Sequence, residues 1–276
     1  MTTAYLFPGQ GSQQAEDLAA VERDAPDLLS LCAELIGHEP FTRCDESTRF
    51  AQPAILLASL AAWRRTAADE PRVYAGHSLG EISALTAAGA LTEADAVRLA
   101  VVRGEAMARA GETSGDGSML AVLKGTVEQA QALADEHGLS IANDNAPGQV
   151  VVSGPSGAID AAQRAAGEHG LRALELNVSA AFHSPAMADA RAAVAREARQ
   201  IAWGVPDAPV YSGLTAKPFC DPVAELPQAI VSPVRWREIM AELGANGCDT
   251  FVEVGGGDVL AKLVIRNLGE DARVAA

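Results

Sequence analysis

Aromatic side chains are scarce in this 276-residue sequence, at 4%. Ala, Leu and Val must therefore do most of the packing. Cysteine is scarce too. Cys32, Cys44, Cys220 and Cys248 lie far apart, with no paired metal spacing, so free thiols in a reducing compartment are expected. Cations are outnumbered: 21 basic against 36 acidic residues give a formal charge of −15. That excludes a nucleic-acid binder, because phosphate backbones require a basic surface. An anionic ligand must be met by a few local cations against this field. No charge-free apolar run of about 20 residues occurs, so no membrane span is expected. The opening Met-Thr-Thr-Ala-Tyr lacks a basic segment followed by an apolar stretch, so no signal peptide is expected. The expectation is a soluble, cytoplasmic protein. Apolar residues at 49% and charged residues at 21% are ordinary for a globular chain. The length suits one large domain or a domain carrying an insertion.

Strand-like and helix-like runs alternate, which favours α/β. Short β-prone runs at Thr3–Phe7 and Arg72–Ala75 each end in a glycine turn. Helices are expected over Pro26–Gly37, Gln52–Arg65, about Glu81–Ala88 and, from the cap at Thr92, to about Arg109. Residues 111–117 are glycine-rich and read as a flexible boundary. Beyond them, strand–helix–strand order occurs twice, and both helices end in Glu-His-Gly-Leu, at 136–139 and 168–171. Two tandem β-α-β units predict a ferredoxin-like small subdomain over 118–180. It would be inserted into a large α/β domain formed by 1–117 and 181–276. A helix over Ser184–Gln200, strands at Val210–Ser212 and Thr250–Glu253 and a last helix over Asp258–Leu268 complete the expectation.

The strongest chemical signal is Gly76-His77-Ser78-Leu79-Gly80 between a strand and a helix. Gly-x-Ser-x-Gly alone is a weak motif, and its plain reading is a glycine turn with a capping serine. In a strand–turn–helix context it lifts a hydroxyl into open space above the carboxyl end of a sheet, with the helix N-terminus facing any oxyanion formed there. A serine nucleophile needs a base. His137 and His169 fall at expected helix ends and His38 in a surface-like loop. His77 adjoins the serine and should point away from it. His183 remains, in Ala180-Ala181-Phe182-His183-Ser184, where the small subdomain rejoins the large one. No histidine follows it, which argues against the Ser…Asp…His order of ordinary hydrolases. A Ser78–His183 dyad oriented by a carbonyl is sufficient, because the third group mainly fixes tautomer and orientation. Arg103 lies between Leu99 and Met107, its i−4 and i+4 neighbours. An arginine on an apolar flank reserves its fork for a partner, here either a protein carboxylate or a substrate carboxylate. The turn Phe7-Pro8-Gly9-Gln10-Gly11-Ser12-Gln13 could supply a second oxyanion donor.

These segments, with Gln52-Pro53-Ala54, Arg103–Met107, Ala146–Val151, Ser232–Trp236 and Glu253–Gly255, resemble the malonyl-CoA:acyl-carrier-protein transacylase family in its own order, over nearly the whole chain. Among its members, the discrete, trans-acting acyltransferases of polyketide synthases are most similar. The resemblance implies an α/β fold: a large α/β-hydrolase-like domain with a short parallel sheet plus the inserted ferredoxin-like subdomain. It implies that Ser78 takes the acyl group from malonyl-CoA with His183 as base. Backbone N–H groups of Gln10 and Leu79 would hold the oxyanion. Arg103 would grip the free carboxylate, and Gln52, Met107 and Phe182 would shape the substrate site. The acyl group would pass to the phosphopantetheine thiol of an acyl carrier protein. No cofactor, no metal and a monomer are expected.

The chain departs from that family at two places. Ala229 stands where a glutamine often presents its carbonyl to the histidine, with Gln228 one position earlier. Gly256 and Asp258 replace a common Pro and Lys, which has no functional account. Arg103 favours a diacid donor over an acyl hydrolase acting on neutral chains, and the intact Ser78, His183 and Arg103 set disfavours a non-catalytic docking role. Arg235, Arg237, Lys262 and Arg266 are a candidate basic patch for the acidic carrier.

Overall fold

The computed structural model describes residues 2–178 and 180–275; Met1, Ser179 and Ala276 lie outside the described residues, so the expected junction segment is followed from Ala180 onward. In chain order, β1 (Thr2–Phe7) leads through α1 (Leu18–Asp24), α2 (Pro26–Ile36) and α3 (Thr48–Trp63) to β2 (Arg72–Gly76), α4 (Gly80–Ala87) and α5 (Glu93–Thr113). Next come β3 (Gly117–Leu123), α6 (Val127–His137), β4 (Ser140–Ala146), β5 (Gln149–Pro155), α7 (Ser156–Ala165) and β6 (Arg172–Glu175). The chain closes with α8 (Ala188–Ala198), β7 (Val210–Tyr211), α9 (Pro222–Ala229), α10 (Trp236–Ala245), β8 (Cys248–Glu253), α11 (Val259–Leu268) and β9 (Arg273–Ala275).

The first sheet has the order β7-β2-β1-β8-β9 and is parallel throughout. A parallel sheet is covered on both faces, so its central strands read as continuous apolar runs. β1 shows this, with Ala4 to Phe7 all buried. Aromatics pack on both sides of it. On one side Trp63 meets Tyr5 and Tyr74 edge to face, with Tyr5–Trp63 centroids 5.2 Å apart and Trp63–Tyr74 centroids 5.6 Å apart. On the other side Ala4, Leu6 and Ala75 pack with Trp236, Leu243 and Phe251. A fully buried ring contributes about 2–3 kcal/mol.

The second sheet has the order β4-β5-β3-β6 and is antiparallel throughout. Leu120, Val122, Val150 and Val152 pack against Leu133 of α6 and Ile159 of α7. Two β-α-β crossovers thus occur in the expected order. α6 has a full capping box, Thr126 with Gln129, and stops at Gly138 in the left-handed conformation (φ 64°).

The second sheet meets the loop before α10, α10 itself and α11 along β4. Val234 N–H donates to Ala142 O and Asp144 N–H to Val234 O, both at 2.9 Å. Arg237 pairs with Asp144 at 2.7 Å, and Asn267 Nδ2 donates to Asn145 O at 2.9 Å. The points where the chain leaves for the second sheet and returns are in contact. A Cβ on Gly117 would lie 2.7 Å from Ala181 N.

Several boundaries differ from the sequence expectation. α3 starts at Thr48, because Ser47 caps it by accepting from Arg49 N–H. α5 runs on through buried Gly111 to Thr113, and β3 begins at Gly117, so little of the expected flexible stretch exists. Burial here outweighs glycine's low helix propensity. The expected helix over 184–200 is a 3-10 turn followed by α8. No expectation covered α1, α9, α10 or β9.

Candidate active site

Ser78 sits in the turn joining β2 to α4, with φ 53°. A non-glycine residue in that region is strained and is held there by its surroundings. The flanking glycines show how. A Cβ on Gly76 would fall 2.0 Å from Gly80 C, and one on Gly80 would fall 2.0 Å from Phe7 O. Backbone packs directly on backbone, and His77 N–H donates to Phe7 O at 2.9 Å. The elbow is therefore pressed against the end of β1, which brings the Gln10 turn beside Ser78.

His183 approaches from the other side, in a turn with φ 57°. Ser184 stabilises that turn by donating its hydroxyl to Ala181 O at 2.6 Å. His183 Nε2 lies 2.8 Å from Ser78 Oγ. Its Nδ1 lies 2.9 Å from Ala229 O and 3.1 Å from Ser232 O. Carbonyl oxygens only accept, so Nδ1 carries the proton and Nε2 is the free acceptor. The Ser78 hydroxyl donates to it. Ala229, at the end of α9, fills the expected orienting position through its main chain, so the departure from glutamine leaves that bond intact. Burial, followed by the Arg103 charge, pushes the His183 pKa down to about 4. The imidazole is neutral at ordinary pH and ready to accept a proton.

Arg103 is 5% exposed, on α5. Its Nη2 donates to Ser78 Oγ at 2.9 Å and its Nη1 to Gln52 Oε1 at 2.6 Å. Among the described residues no carboxylate lies within ion-pair distance of it. Of the two partners the sequence left open, a protein carboxylate is thus not found. Burial lowers the Arg103 pKa to about 10, against the opposing charge of Glu81. Glu81 is buried in α4, where it accepts from Gly213 N–H at 2.6 Å; burial raises its pKa to about 7.

These groups line a cleft of about 320 Å³. Its floor comes from the parallel sheet's loops and α5, with Gln10, Gln52, Leu79, Met107, Phe182 and His183 on its wall. Its roof includes Met119 of β3 and the stretch after β6, at Leu176 and Val178. Every site residue expected from the sequence lines this one cleft. The N–H groups of Gln10 and Leu79 donate to no other protein group among the described residues. His77 turns to Asn145 Oδ1 at 2.8 Å and packs edge-on against Trp236, as a residue adjoining the serine should. His38 is exposed, and His169 reaches Glu136 at 3.1 Å. Sequence reasoning missed Thr48 and the roof residues; the roof lies on a strand and loop whose apolar residues look like ordinary core. Among the described residues no group of three or more His, Cys, Asp or Glu is placed to hold a metal.

The candidate basic patch does not stand as read. Arg235 pairs with Glu238 at 2.5 Å, Arg237 with Asp144 at 2.7 Å and Lys262 with Asp258 at 2.7 Å. Arg266 hydrogen-bonds Gln149. Three of the four cations are already neutralised by neighbouring carboxylates, a pairing that chain order does not show.

Comparison with known proteins agrees with this geometry. The chain is 39% identical over 285 residues to the polyketide biosynthesis protein ThaF of Burkholderia thailandensis, covering 98% of this chain but only 24% of that protein. It is 35% identical over 284 residues to a malonyl CoA-acyl carrier protein transacylase of Salmonella typhimurium, covering 95% of this chain and 92% of that one. A solved malonyl-transacylase in complex with a type II polyketide synthase acyl carrier protein superposes with a TM-score of 0.89 at 30% identity, covering all of this chain and 95% of that one. The match to such structures shows an α/β fold with a parallel sheet and a separate small antiparallel sheet. A family model for the acyl transferase domain matches residues 4–276, and the chain belongs to that acyl transferase family.

Proposed function

We propose that this chain transfers a malonyl group from malonyl-CoA, through an ester on Ser78, to the phosphopantetheine thiol of an acyl carrier protein in polyketide or fatty-acid biosynthesis. One observation carries the reading: Ser78 Oγ lies 2.8 Å from a neutral imidazole nitrogen and 2.9 Å from a buried guanidinium that has no carboxylate partner among the described residues. Nucleophile, base and carboxylate receptor share one cleft.

In the first half-reaction Ser78 Oγ attacks the thioester carbonyl as His183 Nε2 takes its proton. The negative charge developing on the carbonyl oxygen is met by the N–H groups of Gln10 and Leu79. The C–S bond breaks, and the thiolate of coenzyme A leaves with the proton from His183. In the second half-reaction the carrier thiol gives its proton to His183 and attacks the ester, and Ser78 recovers that proton. Arg103 has five N–H donors and uses two, at Gln52 and Ser78; the others remain for the malonate carboxylate. Named relatives and a carrier complex support the choice of donor and acceptor. The setting is cytoplasmic on this reading.

The test is intact-protein mass spectrometry after mixing with malonyl-CoA. The wild type gains a malonyl adduct and passes it to a carrier protein, and Ser78→Ala gains none. A wild type that gains no adduct yet releases free acid from acetyl-carrier protein would be a hydrolase instead. Arg103, which meets no carboxylate among the described residues, favours the diacid.

A further inference from the structure

Arg103 and the Gln10 turn belong to different parts of the chain, yet hydrogen bonds join them through one side chain that the mechanism does not use. Thr48 is the first residue of α3 and is buried. Its Oγ1 donates to Gln10 Oε1 at 3.0 Å and accepts from Gln52 Nε2 at 2.9 Å. Gln52 Nε2 also meets Met107 Sδ at 3.3 Å, and Gln52 Oε1 accepts from Arg103 at 2.6 Å.

The direction of every bond in this chain is forced. A guanidinium only donates, so the Gln52 oxygen must face Arg103. The Gln52 amide nitrogen must then face Thr48, whose oxygen accepts. The one hydroxyl hydrogen of Thr48 is left to point at Gln10 Oε1. Removing the hydroxyl leaves Gln52 Nε2 without its oxygen acceptor, so only the bond from Arg103 still holds the amide plane. It also releases the side-chain tether of the Gln10 turn.

We infer that Thr48 is a positioning residue that holds the carboxylate clamp and the oxyanion turn in one register. The inference rests on the reading in which Arg103 receives a malonate carboxylate and Gln10 N–H meets the oxyanion. Thr48 touches neither the substrate nor the reacting atoms in this role. It acts through Gln52 and Gln10.

The test uses the whole protein and measures single-turnover loading from malonyl-CoA and acetyl-CoA. Thr48→Val keeps the shape and removes the hydroxyl. It is expected to lower kcat for malonyl loading roughly thirty-fold, the worth of the two hydrogen bonds it removes at about 1 kcal/mol each, and to lower the malonyl-to-acetyl ratio. Thr48→Ser restores the hydroxyl and should recover both. Gln10→Met cuts only the branch to the turn, so it should lower kcat for both acyl groups and leave their ratio unchanged. Thr48→Val with Gln10→Met should be no worse than Thr48→Val alone, since both cut the same bond. Wild-type rates in Thr48→Val, failure of Thr48→Ser to recover, or additive losses in the double variant each overturn the inference. If Thr48→Val does not fold, Gln10→Met decides: a lowered kcat at constant ratio supports the tether, and wild-type kcat overturns it. A folded wild type that takes no malonyl group refutes the transfer reading itself, and the inference with it.

Discussion

Replacing Arg103 by methionine is the most demanding test of the site. The change keeps an apolar stem of similar reach along Leu99 and Met107 but removes the charge and all N–H donors. Hydrogen bonds to a charged group contribute about 1.5–3 kcal/mol each, so a two-bond fork on the malonate carboxylate is worth about 3–6 kcal/mol, or roughly 10²- to 10⁴-fold in kcat/KM. An acetyl group has no carboxylate. Its loading loses only the contact from Arg103 to Ser78 Oγ, a loss that malonyl loading shares and that cancels in the ratio of the two. The malonyl-to-acetyl ratio should therefore fall by that same factor, roughly 10²- to 10⁴-fold. A second readout comes from His183. Its pKa is held at about 4 by burial first and the Arg103 charge second. Without that charge it rises, so the acid limb of the loading rate moves to higher pH while burial keeps it below the ordinary histidine range. The assay is rapid mixing with malonyl-CoA or acetyl-CoA, acid quench and intact mass, repeated across the window between pH 4 and neutrality. Equal loss for both acyl groups, with an unmoved acid limb, would refute the clamp.

Three further outcomes follow from burial and close packing. His183 stays neutral in the folded protein down to about 4, whereas the unfolded chain binds its proton near 6.5. The unfolded state thus holds more protons in between, and stability present above 6.5 is lost as pH falls toward 4, on the order of 3 kcal/mol. Urea titrations should show the gap between wild type and His183→Asn narrowing over that window; a gap independent of pH contradicts it. Glu81 has the opposite sign: its folded pKa is raised from 4.5 to about 7, so stability present below 4.5 is lost as pH rises through 7. Glu81→Gln keeps an acceptor for Gly213 N–H and should gain on the wild type over that range, which the same titrations measure. Gly80→Ala would press a methyl to 2.0 Å from Phe7 O and should unfold the elbow or cost several kcal/mol, whereas Gly157→Ala, in α7 with open space around it, should be neutral or stabilising by up to about 1 kcal/mol in thermal melts.

The legible parts of the sequence were those where one residue type has one physical use. Paired glycines around Ser78 mark a turn that only bare backbone can make, and an arginine between Leu99 and Met107 marks a buried fork. His183 stood out because the other histidines had ordinary places. The orienting carbonyl of Ala229 was legible only as a position, since every residue carries the same group. Thr48 was invisible because its partners lie far off in the chain, at Gln10, and one helical turn on, at Gln52. The candidate patch failed for a related reason: Arg237 finds Asp144 across 93 positions, and no local pattern announces that. Boundaries slipped where packing overruled local preference, as at Gly111 within α5.

The contact between Gly117 and Ala181 separates two tasks within the molecule. The chain departs for the antiparallel sheet and comes back at nearly the same spot, so nucleophile, base and guanidinium all stand on segments outside that excursion. What hangs between those two points supplies the ceiling over the reactants and, through Asn145, a brace for His77. Such an attachment lets the upper wall of the cavity be recontoured for a longer or bulkier acyl chain without disturbing the chemistry beneath it.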